Sequence, residues 1–351
     1  MADFKYSQLA DWLREEIASG RFAPGEKLPT EQELGQRFTL SRDTVRKGLA
    51  AMEAEGLIYK VRGSGTFVCD TGAKTVSSTS KRIGIMMNDV GNYIFPDIVQ
   101  GINRVLDEAG YTSSIQITGN QISKERAILA DFLDGDYAGL IIEPTRAALP
   151  QVNYDMYERL ASSRPAVLIH AKLPTLPLSS VTMGDERAAY KLTSWLLEQG
   201  MQNICIFCKF DEQTGTQRYL GYAHAYQDAG LPIPDGNIFW MPGDRLLEPF
   251  DEPVLPAVRD AVQKCDAVIC HDDRLALKVK RFLTSIGAEG KAVCGFDDSA
   301  IAHDYQIPSV AHPKELLGEE AARRLLKKIS SPALDVSYDF EPEIDQNGYV
   351  L

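Results

Sequence analysis

With 351 residues, 44% of them hydrophobic and 25% charged, the chain has apolar surface for more than one core and lacks the composition of a disordered tail. Its 37 Lys and Arg against 49 Asp and Glu give a formal charge of −12, which excludes a chain that binds nucleic acid along its whole length. No run of ~18 apolar residues marks a membrane span, Met1 to Trp12 carries acids where a secretory leader needs a basic then an apolar run, and six scattered cysteines read as reduced thiols, so a cytoplasmic protein is expected.

Charge is not evenly spread. Residues 1–70 hold ten basic and eleven acidic side chains, a net of −1, so the remainder carries −11. Within that first segment Arg42, Arg46, Lys47, Lys60 and Arg62 follow one another with few acids between them, and phosphates respond to that local field.

Tyr6 to Ser19 places Leu9, Trp12, Leu13 and Ile17 on one face, predicting an amphipathic helix that Gly20 ends. A loop with Pro24, Gly25 and Pro29 follows. Thr30 then stands three residues before Glu33, a capping box that opens a short helix through Phe38. Ser41 caps a third helix, buried along Val45, Leu49 and Met52 and stopped by Gly56, with Arg42, Thr44, Arg46 and Lys47 at its exposed start. Two short helices across a tight turn, the second opening with Arg and Thr, have the form of a recognition helix in a major groove. LIYKVRGSGTFV then reads as a hairpin with a Gly63-Ser64-Gly65 tip, a wing able to approach a phosphate backbone closely.

The stretches PGEKLPTE (24–31), LSRDTVRK (40–47) and GSGTFV (63–68) resemble the GntR superfamily of winged-helix regulators over almost all of residues 4–69. That resemblance implies an α+β winged helix-turn-helix over 1–70 that contacts DNA through Glu31, Ser41, Arg42, Thr44, Arg46, Lys47 and a tip of Gly63, Ser64, Gly65 and Thr66 reaching the minor groove.

Residues 71–81 are small and polar, a flexible linker by composition. From Arg82 the pattern alternates β and α: RIGIMM, SSIQIT, YAGLIIEP, AVLIH, ICIFCK, DAVICH and AVCGF are strand-like, with helical segments at 95–109, 124–133, 188–198 and 219–229 between them. Such a rhythm predicts α/β architecture with parallel sheets, whose ligands gather beyond the carboxyl ends of the strands. Polar residues recur at those ends: Asn88 and Asp89, Glu143 and Thr145, His170 and Lys172, Lys209 and Asp211, His271 to Asp273, Asp297 and Asp298.

IGIMMNDVGNYIFPDIVQGINRVLDEAGY, RYLGYAHAYQDAGL, DAVICHDDRLALKV, VCGFDDSAIA and HPKELLGEEAARRLL resemble the ligand-binding domain of the LacI/GalR repressors, over about residues 82–330. The combination of head and body resembles the arabinose-repressor subgroup. It implies a two-lobed, periplasmic-binding-protein-like domain over 82–351 that binds a sugar and dimerises, and a repressor of carbohydrate genes released from its operator by an arabinose-like pentose or related sugar. An activator or corepressor fits the same residues. With the strand-end residues, the expected effector site comprises Tyr93, Phe95, Glu143, His170, Lys172, Asp185, Lys209, Arg218, Trp240, His271, Asp272 and Asp297. Departures from the family pattern fall inside it: Asp272-Asp273 replaces Asn-Asp, Gly184 stands where an Asp is usual, and His170 and Lys172 are unusual there. A phosphorylated or acidic sugar would suit Lys172, Lys209 and Arg218.

Two other chemistries receive little support. Cys205 and Cys208 are spaced so that a strand points them to opposite faces, and no second CxxC or His pair completes a metal site. No GxSxG, Walker loop or GxGxxG after a strand is present for a sugar-converting enzyme, so neither a catalytic residue nor a cofactor is expected.

Overall fold

The computed structural model describes residues 9–10, 12–14, 16–17, 21–22, 25–54, 57–61, 65–68, 80–91, 93–243 and 255–348. They form two compact units, one drawn mostly from residues 1–79 and one mostly from Ser80 onward.

In the smaller unit the capping box is present as read: Thr30 accepts from the Glu33 amide, Glu33 bonds back to the Thr30 amide, and the helix Glu31–Phe38 follows. Ser41 Oγ accepts the Thr44 amide at 3.3 Å at the start of the helix Arg42–Ala54. Strands Ile58–Val61 (β1) and Gly65–Val68 (β2) pair antiparallel, from Ile58 opposite Val68 to Val61 opposite Gly65. Leu9, Leu13, Leu28, Leu34, Val45, Leu49, Met52, Ile58 and Val68 form the core. Gly63 and Ser64, the side chain of Lys60, Arg62, Gly56, Cys69 and linker residues 71–79 lie outside the described residues.

The larger unit has two lobes. Arg82–Met87 (β3), Thr112–Ile117 (β4), Gly139–Ile142 (β5), Ala166–Ile169 (β6), Ser179–Thr182 (β7) and Tyr338–Asp339 (β13) make a parallel sheet in the order β13-β7-β6-β5-β3-β4. Ile204–Lys209 (β8), Ile238–Met241 (β9), Ala267–Ile269 (β10), Ala292–Asp297 (β11), Ser309–Ala311 (β12) and Ile344–Asp345 (β14) make the second, in the order β14-β12-β11-β10-β8-β9, with only β14 antiparallel.

The chain changes lobe after β7, where helix Asp185–Glu198 places Ala188, Ala189, Leu192 and Leu196 in the core of the second lobe. It returns after β12, where helix Lys314–Ser330 gives Leu317, Ala321, Ala322 and Leu325 to the first. That helix meets helix Phe95–Glu108 backbone to backbone: a Cβ on Gly101 would lie 2.0 Å from the Glu315 carbonyl oxygen, and one on Gly318 2.0 Å from that of Ile98. The expectation for β8 holds, since Cys205 faces one core of this lobe and Cys208 the other. Among the described residues no helix is long and apolar enough to cross a membrane.

Candidate functional site

Parallel strands deliver their carboxyl ends to one edge of a sheet, and the two sheets of the larger unit bring those edges to a shared cleft. Ten of the expected side chains line it: Tyr93, Phe95, Glu143, His170, Asp185, Lys209, Arg218, His271, Asp272 and Asp297. Tyr93, His170 and Asp297 hold positive φ angles of 63, 60 and 96°, a strain that side chains adopt where the surroundings over-determine them.

Lys172 and Trp240 are not in this cleft. The Lys172 amide bonds Gln213 Oε1, and its ammonium reaches Asp339 at 2.9 Å in a neighbouring recess. Trp240 sits on the edge strand β9, 41% exposed, with its ring 5.0 Å from that of Tyr219. Conversely, Asn88, Glu212, Arg274 and His312 line the cleft without having been assigned to it. Asn88 was visible as a strand-end residue. His312 follows a strand of three residues, too short for any period to show.

The charges are matched in pairs. Arg218 Nε and Nη2 meet Asp185 Oδ1 at 2.9 and 2.8 Å. Arg274 Nη2 meets Asp272 Oδ2 at 2.8 Å and lies over the Tyr93 ring, while Asp272 Oδ1 caps the helix Asp273–Ser285 through the Leu275 amide. Lys209 meets Glu212 at 2.7 Å, and Glu143 Oε1 lies 3.0 Å from His170 Nδ1. Burial is the largest single influence on Asp272, Asp297 and His271; partners outweigh it at the first and not at the other two. Despite burial, Arg274 holds Asp272 below the usual carboxylate range. Asp297 is pushed up by burial against the opposing charge of Arg218. His271 is pulled down to about 4 by burial, against its bond to Glu212 and with help from Lys209 and Arg218. His271 Nδ1 and His312 Nδ1 are buried with no hydrogen-bond partner among the described residues. A cleft of acceptors, committed cations and aromatic faces is a site for a small polar molecule.

In the smaller unit, Arg46 Nε donates to both oxygens of Glu31 at 3.0 and 3.2 Å, which joins two of the candidate contact residues across the turn. Ser41 Oγ and Thr44 Oγ1 lie 2.8 Å apart, and Arg42 and Lys47 are exposed beside them. At the wing, Gly65 has φ 134°, a Cβ there would lie 2.5 Å from Lys27 Cε, and the Thr66 carbonyl accepts the Leu28 amide at 2.8 Å.

The model of bacterial regulatory proteins of the gntR family matches residues 5–68, and that of a periplasmic binding protein-like domain matches residues 193–341. The chain is 32% identical to the arabinose metabolism transcriptional repressor of Geobacillus stearothermophilus, over 97% of this chain and 96% of that one. It is 29% identical to the protein of the same name from Halalkalibacterium halodurans, over 97% and 93%. The transcription regulator CcpA of Lactococcus lactis has the same fold, with a TM-score of 0.65 and 18% identity over 76% of this chain and 97% of that one.

Proposed function

Because the chain belongs to the family of the arabinose metabolism transcriptional repressors, with a gntR-type head and a periplasmic-binding-protein-like body, we propose that its effector is arabinose or a closely similar neutral pentose. The chain is a DNA-binding, sugar-responsive transcriptional repressor, and its relatives are repressors, not enzymes. The observation that carries the choice of a neutral sugar is the pairing of Lys209, Arg218 and Arg274 with Glu212, Asp185 and Asp272. Each cation is already matched, so a phosphate or carboxylate on the ligand would compete with a bound carboxylate. Hydroxyls, in contrast, can donate to Asp297 and Glu143 while Tyr93 and Phe95 cover C–H faces. The phosphorylated sugar suggested by Lys172, Lys209 and Arg218 loses its basis, because Lys172 lies elsewhere and the other two are engaged.

In the same reading the head spans residues 1–70, a linker 71–81 and the effector domain 82–351. Arg42, Thr44, Arg46 and Lys47 enter a major groove, the Gly63 to Thr66 tip reaches the minor groove, and two copies form a cytoplasmic homodimer on a palindromic operator, since one winged helix neutralises few phosphates. Calorimetry with arabinose, ribose, xylose and their phosphates tests the effector. Micromolar binding of a neutral pentose alone is expected, and binding of only a phosphorylated sugar would overturn the reading.

A further inference from the structure

Three titratable side chains of the cleft touch in a row. Glu143 Oε2 accepts the Asn88 amide at 2.8 Å, Glu143 Oε1 lies 3.0 Å from His170 Nδ1, and His170 Nε2 lies 3.3 Å from His312 Nε2. The last nitrogen of the row, His312 Nδ1, is buried with no partner among the described residues.

A contact between two imidazole nitrogens holds one proton between them. With Glu143 ionised, His170 Nδ1 carries a proton in either arrangement. If His170 is an imidazolium, its Nε2–H donates, His312 accepts at Nε2, and the His312 proton sits on Nδ1. If His170 is neutral, its Nε2 is a lone pair, His312 donates from Nε2, and His312 Nδ1 becomes an acceptor. One proton on His170 therefore exchanges a donor for an acceptor at the far end of the row.

We propose that Glu143, His170 and His312 form a proton-controlled relay in the effector cleft, in which the charge on His170 sets the tautomer of His312, and that the sugar is bound by the donor form with uptake of a proton. The second half rests on the sugar reading above. Lys209, Arg218 and Arg274 are spent on carboxylates, so donation to a ligand in this cleft falls to neutral groups such as Asn88 and His312. A sugar hydroxyl that gives its hydrogen to a carboxylate still needs a donor at its oxygen, and His312 Nδ1–H supplies one.

The surroundings favour this arrangement. Burial opposes a charge on His170, but the bond to Glu143 and the charges of Glu143, Asp185 and Asp297 outweigh it, so the ring titrates above its ordinary range. Burial holds His312 well below that range, helped by the charges of His170, Lys314 and Arg218.

Nitrogen-15 NMR on the sugar-free full chain reads the relay. Raising the pH through the His170 titration is expected to move the His312 proton from Nδ1 to Nε2 with the same midpoint, and a His312 that keeps one tautomer throughout overturns the relay. Calorimetry with arabinose in buffers of different ionisation enthalpy reads the linkage. Uptake of up to one proton is expected, with affinity falling by at most about tenfold per pH unit above the midpoint. His170→Gln still donates to Glu143 but cannot titrate, so the sugar affinity that it retains, weakened or not, should come without proton uptake and with a flat pH profile. Uptake that persists in His170→Gln overturns the assignment in favour of Asp273, which burial and then Asp297 push up to about 7. Arabinose that binds at no pH, with the tautomer exchange intact, defeats the effector reading and its linked proton while the relay stands.

Discussion

Arg218 reaches a single oxygen of Asp185 with two nitrogens and lays its guanidinium 4.0 Å from the centre of the Phe296 ring, so one side chain ties the start of helix Asp185–Glu198 to the end of β11. Both partners are buried, at 6 and 7% exposure. Removing one charge leaves the other uncompensated, a loss of about 3–5 kcal/mol. Arg218→Ala is expected to lose that much in urea unfolding and to lose sugar binding. Arg218→Met combined with Asp185→Leu should recover most of the stability and none of the binding. Unchanged sugar affinity in both would show that the pair is structural only.

On the proposed DNA face, Glu31 holds Arg46 through both carboxylate oxygens. At 60% side-chain exposure this ion pair adds little to stability, and its value lies in aiming the guanidinium. Arg46→Ala should cost about 1–3 kcal/mol of operator affinity if it reads a base, against a log affinity that falls linearly with log salt. Glu31→Gln should blur discrimination among operator variants more than it weakens binding. Gel-shift titration over a set of operator variants measures both, and equal losses on every sequence would reduce Arg46 to a phosphate contact.

What could be read from the sequence followed the strength of local signals. Thr30 with Glu33 and Ser41 with Thr44 are short-range chemistry, and the structure places each cap as read. Strands β3, β5, β6, β8, β10 and β11 are buried apolar runs that declare themselves, whereas the polar β7 and the partly exposed edge strand β9 do not and were missed. Helix Gln213–Asp228 was expected to begin only at 219, because Gln213 to Gln217 is polar and Gly215 reads as a breaker. Gly215 is there for proximity: a Cβ would lie 2.0 Å from the Lys209 carbonyl oxygen. The two-residue strands β13 and β14 are long-range pairings without local pattern, so they were not foreseen. The cleft followed the same rule. Strand-end residues were found, whereas Glu212, Arg274 and His312 needed the tertiary fold to bring them in.

Acid should weaken the larger unit through His271. The folded chain keeps this ring neutral down to about 4, while an unfolded imidazole protonates near ~6.5, so between those values the unfolded chain binds more protons and stability falls as pH falls. The whole effect is about 3 kcal/mol, absent above the unfolded value and complete below the folded one. His170, shifted upward, acts in the opposite sense, since its contribution is present at low pH and is lost as pH rises through its folded value. Urea unfolding at pH 7 and 4.5 checks this. His271→Gln should lose less stability over that interval than the parent chain, by about 2 kcal/mol, and an equal loss in both would assign the acid sensitivity to another group.

The last expectation concerns how the sugar reaches the operator. The two lobes are joined by polar contacts: the Lys172 amide to Gln213 Oε1 at 2.6 Å, Gln213 Nε2 back to the Lys172 carbonyl at 3.1 Å, the Ala148 amide to the Asp211 carbonyl at 3.2 Å, and the Asp273 amide to Tyr93 Oη at 3.2 Å. A ligand that contacts both lobes adds to these bonds and so favours the lobes together. If two bodies pair, a change in their lobes alters the freedom of the heads to seat on one operator. Coupling of this kind is a free energy, typically about 1–3 kcal/mol, or a factor of roughly 5–150 in affinity, and it is reciprocal. Saturating arabinose should weaken operator binding by a factor within that range. Saturating operator must then weaken arabinose binding by the same factor. Fluorescence anisotropy for DNA and calorimetry for sugar, each with and without the other ligand, give the two numbers. Equal weakening makes the sugar an inducer, equal strengthening makes it a corepressor, and two factors of one would mean that the cleft and the DNA face act independently.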